Sequence, residues 1–167
     1  KTLADKKNII KSKDNAFELE MDITPNITGI TGIELYNAKG ENVKIYFDTK
    51  ERKLVMDRTE SGLIEFGKLS VPHDLEKNYA DVHQGAGNTP FRVFNSVNYK
   101  NDFALGTWAP LSLCKGKTYH VDIFVDKCSV EIFVDGGRIA MTNLVFPTTP
   151  YTSIKFYNKG TSASFHN

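Results

Sequence analysis

The acidic side chains are the first place to look for chemistry, because acid–base and nucleophilic hydrolysis both need paired carboxyls. The chain holds 20 Asp and Glu, but their spacing points elsewhere. Glu18, Glu20 and Asp22 alternate with Leu19, Met21 and Ile23, Asp122 and Asp126 flank Phe124, and Glu131 and Asp135 flank Phe133. Each set reads as the outer side of a half-buried strand. The histidines His73, His83, His120 and His166 are scattered without a metal-binding spacing, and His120 falls on the polar side of its strand. Gly85-Ala86-Gly87 resembles half of a phosphate loop, but no helix follows to supply an anion-binding N-terminus. It reads as a flexible turn. No GxSxG elbow, P-loop or dinucleotide fingerprint occurs, so no metal, cofactor or catalytic set is expected.

One cluster has the chemistry of sugar recognition. Trp108 offers an aromatic face to the C–H side of a furanose or pyranose ring, while Tyr99, Asn101 and Asp102 bring groups for its hydroxyls. The competing reading is a Trp partly buried in packing. Phe124 and Phe133 raise a similar choice. Both occupy outward positions of a hairpin and could form a cross-strand pair. Either they are covered by a loop or the other sheet, or they form an apolar patch for another domain.

The elements that must position these residues are strands. Phe17, Leu19, Met21 and Ile23 share one face, and Pro25-Asn26 ends the run. Strands are expected at residues 32–37, 43–48 and 54–58, with polar turns between. A meander follows from Tyr119 to Phe146. Tyr119, Val121, Ile123 and Val125 form one face, Val130, Ile132 and Val134 the next, and residues 138–146 the third strand. Asp135-Gly136-Gly137 supplies the second turn. Further strands are expected at 154–157 and 163–165, with short ones at 91–94 and 103–105 inside the Gly- and Pro-rich stretch 61–110. No segment sustains a helical period. The expected fold is all-β, a two-sheet antiparallel β-sandwich of the concanavalin or jelly-roll kind, with Leu19, Met21, Val121, Ile123, Ile132 and Val134 between the sheets.

Composition sets the outer bounds. A chain of 167 residues, 40% hydrophobic and 25% charged, suits one globular domain spanning 1–167. A net charge of +1 gives no field for drawing in nucleic acid or an anionic membrane. The lysines of the first 15 residues read as a solvated lead-in rather than a polyanion site. No apolar run approaches the roughly 20 residues that span a bilayer. Cys114 and Cys128 flank opposite ends of the strand 119–125, too far apart to bridge at about 3.3 Å per residue, so two free thiols are expected.

Two segments carry a family resemblance. Residues 57–62 read DRTESG, and residues 123–147 read IFVDKCSVEIFVDGGRIAMTNLVFP. They resemble the DRSxSG and IFVDxSSVEVFVNDG patterns of the C-terminal β-sandwich of glycoside hydrolase family 32, the invertases, inulinases and levanases. Thr59 stands for the usual Ser, and Lys127-Cys128 for a common Arg-Ser. The resemblance implies a sandwich that follows a five-bladed catalytic β-propeller, with residues 1–15 leading in from it. The catalytic carboxylates of that family lie in propeller motifs of WxNDPNG, RDP and EC type, none of which occurs here; Asn101-Asp102 is followed by Phe103. The implied parent is a retaining β-fructosidase, and this piece its non-catalytic accessory domain. The expected partners are that propeller and a fructan or oligosaccharide. The implied location is extracellular or periplasmic. A bottom-up reading of the motifs makes Asp57, Arg58 and Glu131 structural, with Arg58 forking onto Glu131 to pin two strands. The alternative functions are a lectin-like module centred on Trp108 and an oligomerisation or adhesion domain.

Overall fold

The computed structural model describes residues 8–9, 16–26, 28–64, 103–112, 116–160 and 164–166. Eleven strands are seen among them: β1 (Asn8–Ile9), β2 (Phe17–Thr24), β3 (Gly29–Tyr36), β4 (Asn42–Asp48), β5 (Lys53–Glu60), β6 (Gly106–Pro110), β7 (Tyr119–Val125), β8 (Ser129–Val134), β9 (Ile139–Leu144), β10 (Ser153–Gly160) and β11 (Ser164–His166). They form two antiparallel sheets. Sheet A has the order β1-β10-β3-β4-β5-β6, and sheet B the order β11-β2-β7-β8-β9. Among the described residues no helix is long and apolar enough to cross a membrane.

Period-two alternation builds the core. In β7 the residues Tyr119, Val121, Ile123 and Val125 are buried, and in β8 Val130, Ile132 and Val134 are. Sheet A answers with Ile33, Leu35, Val43, Ile45, Phe47, Leu54 and Met56. Phe47 of β4 meets Tyr119 of β7 across the gap, ring centroids 5.2 Å apart. Burying a side chain of this size contributes about 1.5–3 kcal/mol. These facing sets are therefore what hold the two sheets together.

Several expectations shift. Leu19 and Met21 are only partly buried against the core, because β2 has just the three-residue β11 on its outer side. The strand expected at 103–105 instead runs from Gly106 to Pro110, where the carbonyls and amides of β5 are free to pair it. The third meander strand starts at Ile139 because Arg138 completes the turn. Within the lead-in, Asn8–Ile9 adds a short edge strand to β10. The strand expected at 91–94 lies outside the described residues.

Candidate functional site

Trp108 sits on β6, the edge of sheet A, and remains 56% exposed. Packing does not bury it. Tyr99, Asn101 and Asp102 lie outside the described residues. What the register places beside Trp108 is a line of residues running across the sheet. Tyr157 of β10 pairs with Gly32 of β3, Gly32 with Tyr46 of β4, Tyr46 with Val55 of β5, and Val55 with Trp108. All five lie on the face away from the core: Ile33, Ile45, Phe47, Leu54 and Met56 beside the middle three are buried, and Thr107, Ala109 and Phe156 beside Trp108 and Tyr157 are partly so. Gly32 lets the line close up. A Cβ there would overlap the Ile45 carbonyl oxygen and Tyr46 Cβ, and across the vacant position the Tyr46 and Tyr157 rings come to 5.7 Å.

Charged residues frame this line on both sides. Along one side run Lys155, Glu34, Lys44 and Asp57; along the other lie Lys159, Asp48 and Lys53. Lys155 Nζ is 2.8 Å from Glu34 Oε1. Lys53 Nζ lies 4.4 Å from the Trp108 ring centre, and Lys159 Nζ 5.3 Å from that of Tyr157. Partial burial, reinforced by the fields of Asp57, Tyr157 and Asp48, pushes the Tyr46 hydroxyl above its usual range. Tyr46 and Tyr157 carry no local sequence signal of a site, since only the strand order brings them into line with Trp108.

The two family-like segments meet at a seam. Arg58 is on the inward side of β5, in phase with Leu54 and Met56, and its Nη1 donates to the Leu144 carbonyl of β9 at 2.9 Å. Its guanidinium lies over Phe103 at 4.1 Å, and Phe103 packs on Phe146 with centroids 5.6 Å apart. Burial pulls the pKa of Arg58 down. The expected fork between Arg58 and Glu131 is absent. Glu131 alternates with buried Val130 and Ile132, so it points to the outer side of the opposite sheet. Asp57 serves its own turn: Oδ1 accepts from Thr59 N at 3.0 Å and from Thr59 Oγ1 at 2.7 Å. Gly62 follows at φ +132°, where a Cβ would strike the Phe146 carbonyl and Pro147. Leu63 N donates to Phe146 O, and Tyr151 Oη donates to Ser61 O at 2.5 Å. Burial, with the field of Glu41 added, raises the pKa of Tyr151 against that hydrogen bond.

The outer side of sheet B holds the acidic residues. His120 Nδ1 is 2.9 Å from Asp22 Oδ1, while Nε2 is 3.3 Å from Asp122 and 3.5 Å from Glu20. The hydrogen bond to Asp22, helped by the fields of all three carboxylates, outweighs desolvation and raises the pKa of His120. Phe124 is 40% exposed and meets Phe133 edge-on at 5.7 Å. The pair lies on the outer side of the sandwich, with Phe124 exposed and Phe133 half-buried, so the opposite sheet does not cover it. Phe124 also stands directly opposite Glu18 in the register, so aromatics and carboxylates share one surface. The thiol of Cys128 is free and exposed; Cys114 lies outside the described residues.

Among the described residues the carboxyls that do gather, Glu20, Asp22 and Asp122, surround His120 on an open strand face and line neither of the two hollows, whereas a retaining glycosidase sets its pair about 5–5.5 Å apart around a bound sugar. A hollow of about 210 Å³ holds Asp135 as its one carboxylate, beside Lys117 and Arg138. Another of about 240 Å³, between Val125 and Tyr151, holds only Asp126. Among the described residues, the two carboxyls that shift do so in the wrong direction for a general acid. Lys117, bonded at 2.6 Å, lowers Asp135. At Glu41 desolvation pulls upward, but hydrogen bonds from Thr148 and Asn37 together outweigh it and leave the pKa lowered.

Comparison with known proteins places the chain in a family. Residues 1–167 match the family described as the C-terminal domain of family 32 glycosyl hydrolases. The levanbiose-producing levanase of Bacillus subtilis is 36% identical over 92 residues, covering 55% of this chain and 16% of that enzyme. The levanase of Bacillus sp. strain L7 is 23% identical over 92% of this chain and 13% of its own length. The exo-inulinase of Aspergillus awamori superposes with a TM-score of 0.63 at 18% identity, over 96% of this chain and 25% of that one. The chain thus spans a quarter or less of each of these relatives. With its two sheets, the seam between its motifs and a match along its whole length, the chain belongs to the C-terminal β-sandwich family of the family 32 glycosyl hydrolases.

Proposed function

We propose that this domain is the non-catalytic accessory sandwich of a fructan-degrading hydrolase, packed against a catalytic β-propeller and supporting it. The observation that carries this reading is the use made of the motif carboxylates. Asp57 closes its own turn, Glu60 accepts from Asn42 Nδ2, Asp126 accepts from the Lys127 amide, and Asp135 binds Lys117 and the His120 amide. Asp57 and Asp126 thus hold their own turns, while Glu60 and Asp135 bond neighbouring strands, a structural use of these groups. A supporting role also needs a docking surface. Leu63 and Leu144, 58% and 51% exposed, lie beside the seam, with Leu63 bonded to Phe146 two residues beyond Leu144. Interfaces between domains bury roughly 600–1,500 Å² and leave such apolar side chains open when the partner is absent. Because polymeric fructans are met outside the cytoplasm, the reading places the parent enzyme in the extracellular space or the periplasm.

Two measurements test it. The purified chain is expected to release no sugar from sucrose, inulin or levan, and release that persists through repurification overturns the non-catalytic reading. In the chain joined to its propeller, the double variant Leu63→Asp, Leu144→Asp is expected to lower the Tm of the whole enzyme while leaving that of the sandwich alone unchanged. An unchanged whole-enzyme Tm overturns this docking surface.

A further inference from the structure

The line of aromatics across sheet A has no part in the core, in the seam or in the proposed docking edge. We propose that it is a platform for a neutral polysaccharide chain, laid across the strands over Tyr157, Tyr46 and Trp108. The proposal does not rest on the accessory reading, and stands or falls on this chain alone.

Geometry is the first argument. Adjacent strands lie about 4.8 Å apart, so the four intervals from β10 to β6 spread the line over about 19 Å, room for several sugar residues. Gly32 keeps the floor between Tyr157 and Tyr46 free of a side chain, and the two rings lean towards each other over it. Val55 separates Tyr46 from Trp108 with a low aliphatic surface. Rings set in a row over low ground offer C–H-binding faces at intervals to an extended chain. They do not enclose a small molecule.

The frame of polar groups is the second argument, and it selects the occupant. The cores of protein interfaces are depleted of charge, whereas this line is only one residue wide and has ionic side chains along both flanks. Those flanks alternate in sign, Lys155 with Glu34 and Lys44 with Asp57 on one side, Lys159 with Asp48 on the other. A surface with mixed donors and acceptors and little net field suits a polyol. A polyanion would meet Asp48 and Asp57, while Glu34 is buried in its pair with Lys155. Trp108 stays 56% exposed even with the Lys53 ammonium over its ring, and the flexible Lys53 can swing off that face and turn its ammonium to a hydroxyl.

Trp108 is the sole tryptophan of the chain, which makes the test direct. Its emission is followed while the chain is titrated with levan, inulin, xylan and soluble cellulose oligomers, and retention on gels containing the same polymers is measured in parallel. A blue shift of emission with matching retardation is expected for at least one polymer, and the polymer that acts separates the parent's substrate from another glycan. Trp108→Ala and Tyr157→Ala are each expected to weaken retardation about tenfold or more, while Phe124→Ala on the opposite sheet leaves it unchanged. Circular dichroism checks that the variants fold, and Tyr157→Ala keeps Trp108 as a reporter. Binding is expected to persist at high salt. No response to any polymer, retardation untouched by both variants, or loss of binding in salt overturns the proposal. Concentration-dependent self-association abolished by Trp108→Ala overturns it in favour of a second copy. Quenching of Trp108 accessibility when the chain is joined to its propeller overturns it in favour of the propeller.

Discussion

The two outer surfaces of this sandwich start from the same rule and end differently. On each, alternation turns every second residue outward, and on each some of those residues are aromatic. On sheet A the register brings Tyr157, Tyr46 and Trp108 into one line, with charges kept to the flanks. On sheet B, Phe124 and Phe133 sit diagonally, with Glu18, Asp122 and Glu131 as their direct cross-strand neighbours. Outward aromatics therefore do not make a platform by themselves. Strand order and register decide whether they add up to an extended surface or remain a local pair among carboxylates.

The strongest way to break this contrast is Gly32→Ala. The new methyl would have to displace the Ile45 carbonyl and Tyr46, which belong to the central pair of sheet A. The expected loss is about 3 kcal/mol or more of stability, with the Tyr46–Tyr157 contact opened, read as a lower midpoint in urea unfolding. A fall comparable to that of a surface substitution would mean that the close approach at Gly32 has little to do with the line.

On sheet B the expected effect is smaller. Phe124→Ala removes an edge-on pair at a site already 40% exposed, for which about 0.5–1.5 kcal/mol is the ordinary worth. A loss well above that range would show Phe124 to be part of the support of the core.

The smallest effect belongs to pH. His120 has a folded-state pKa above its unfolded value, chiefly through the Asp22 hydrogen bond. Its contribution is fully present below the unfolded value of about 6.5 and fades as pH rises through the folded one. Unfolding followed from pH 5.5 to 8.5 is expected to show a slight fall in stability across that window, absent in His120→Gln. Sheet A has no described histidine, so the Trp108 surface is expected to be indifferent over the same range. Glu41 and Asp135 act in the opposite sense, since their lowered pKa values make their contributions disappear only as pH falls into the acid range.

Much of the architecture could be read from period two alone. The buried faces of β7 and β8 follow from Val121, Ile123, Ile132 and Val134 alternating with polar neighbours, and parity is a local property of the chain. Parity also contained the evidence against an Arg58–Glu131 fork. Arg58 keeps step with Leu54 and Met56, and Glu131 is out of step with Val130 and Ile132, so the two must point in incompatible directions. Partial exposure of Leu19 and Met21 was not legible, because it depends on how little stands beside β2. The sugar-like cluster was half legible. Trp108 stood out by its residue type, whereas its companions on the sheet, Tyr46 and Tyr157, look like any outward tyrosine until β10 is known to lie beside β3. Local patterns hold no information about that neighbour.

The placement of β10 also has a bearing on time. Sheet B can begin as the β7-β8-β9 meander, whose turns are short, and β3 to β5 can form a second meander by the same local route. The pairing of Ile154 with Leu35 must instead close a very long loop before it gains anything. Tyr157 rides on that strand. The aromatic line is therefore expected to be assembled only after the local meanders have formed, and a nascent chain would carry Tyr46 and Trp108 apart from Tyr157 until β10 comes home.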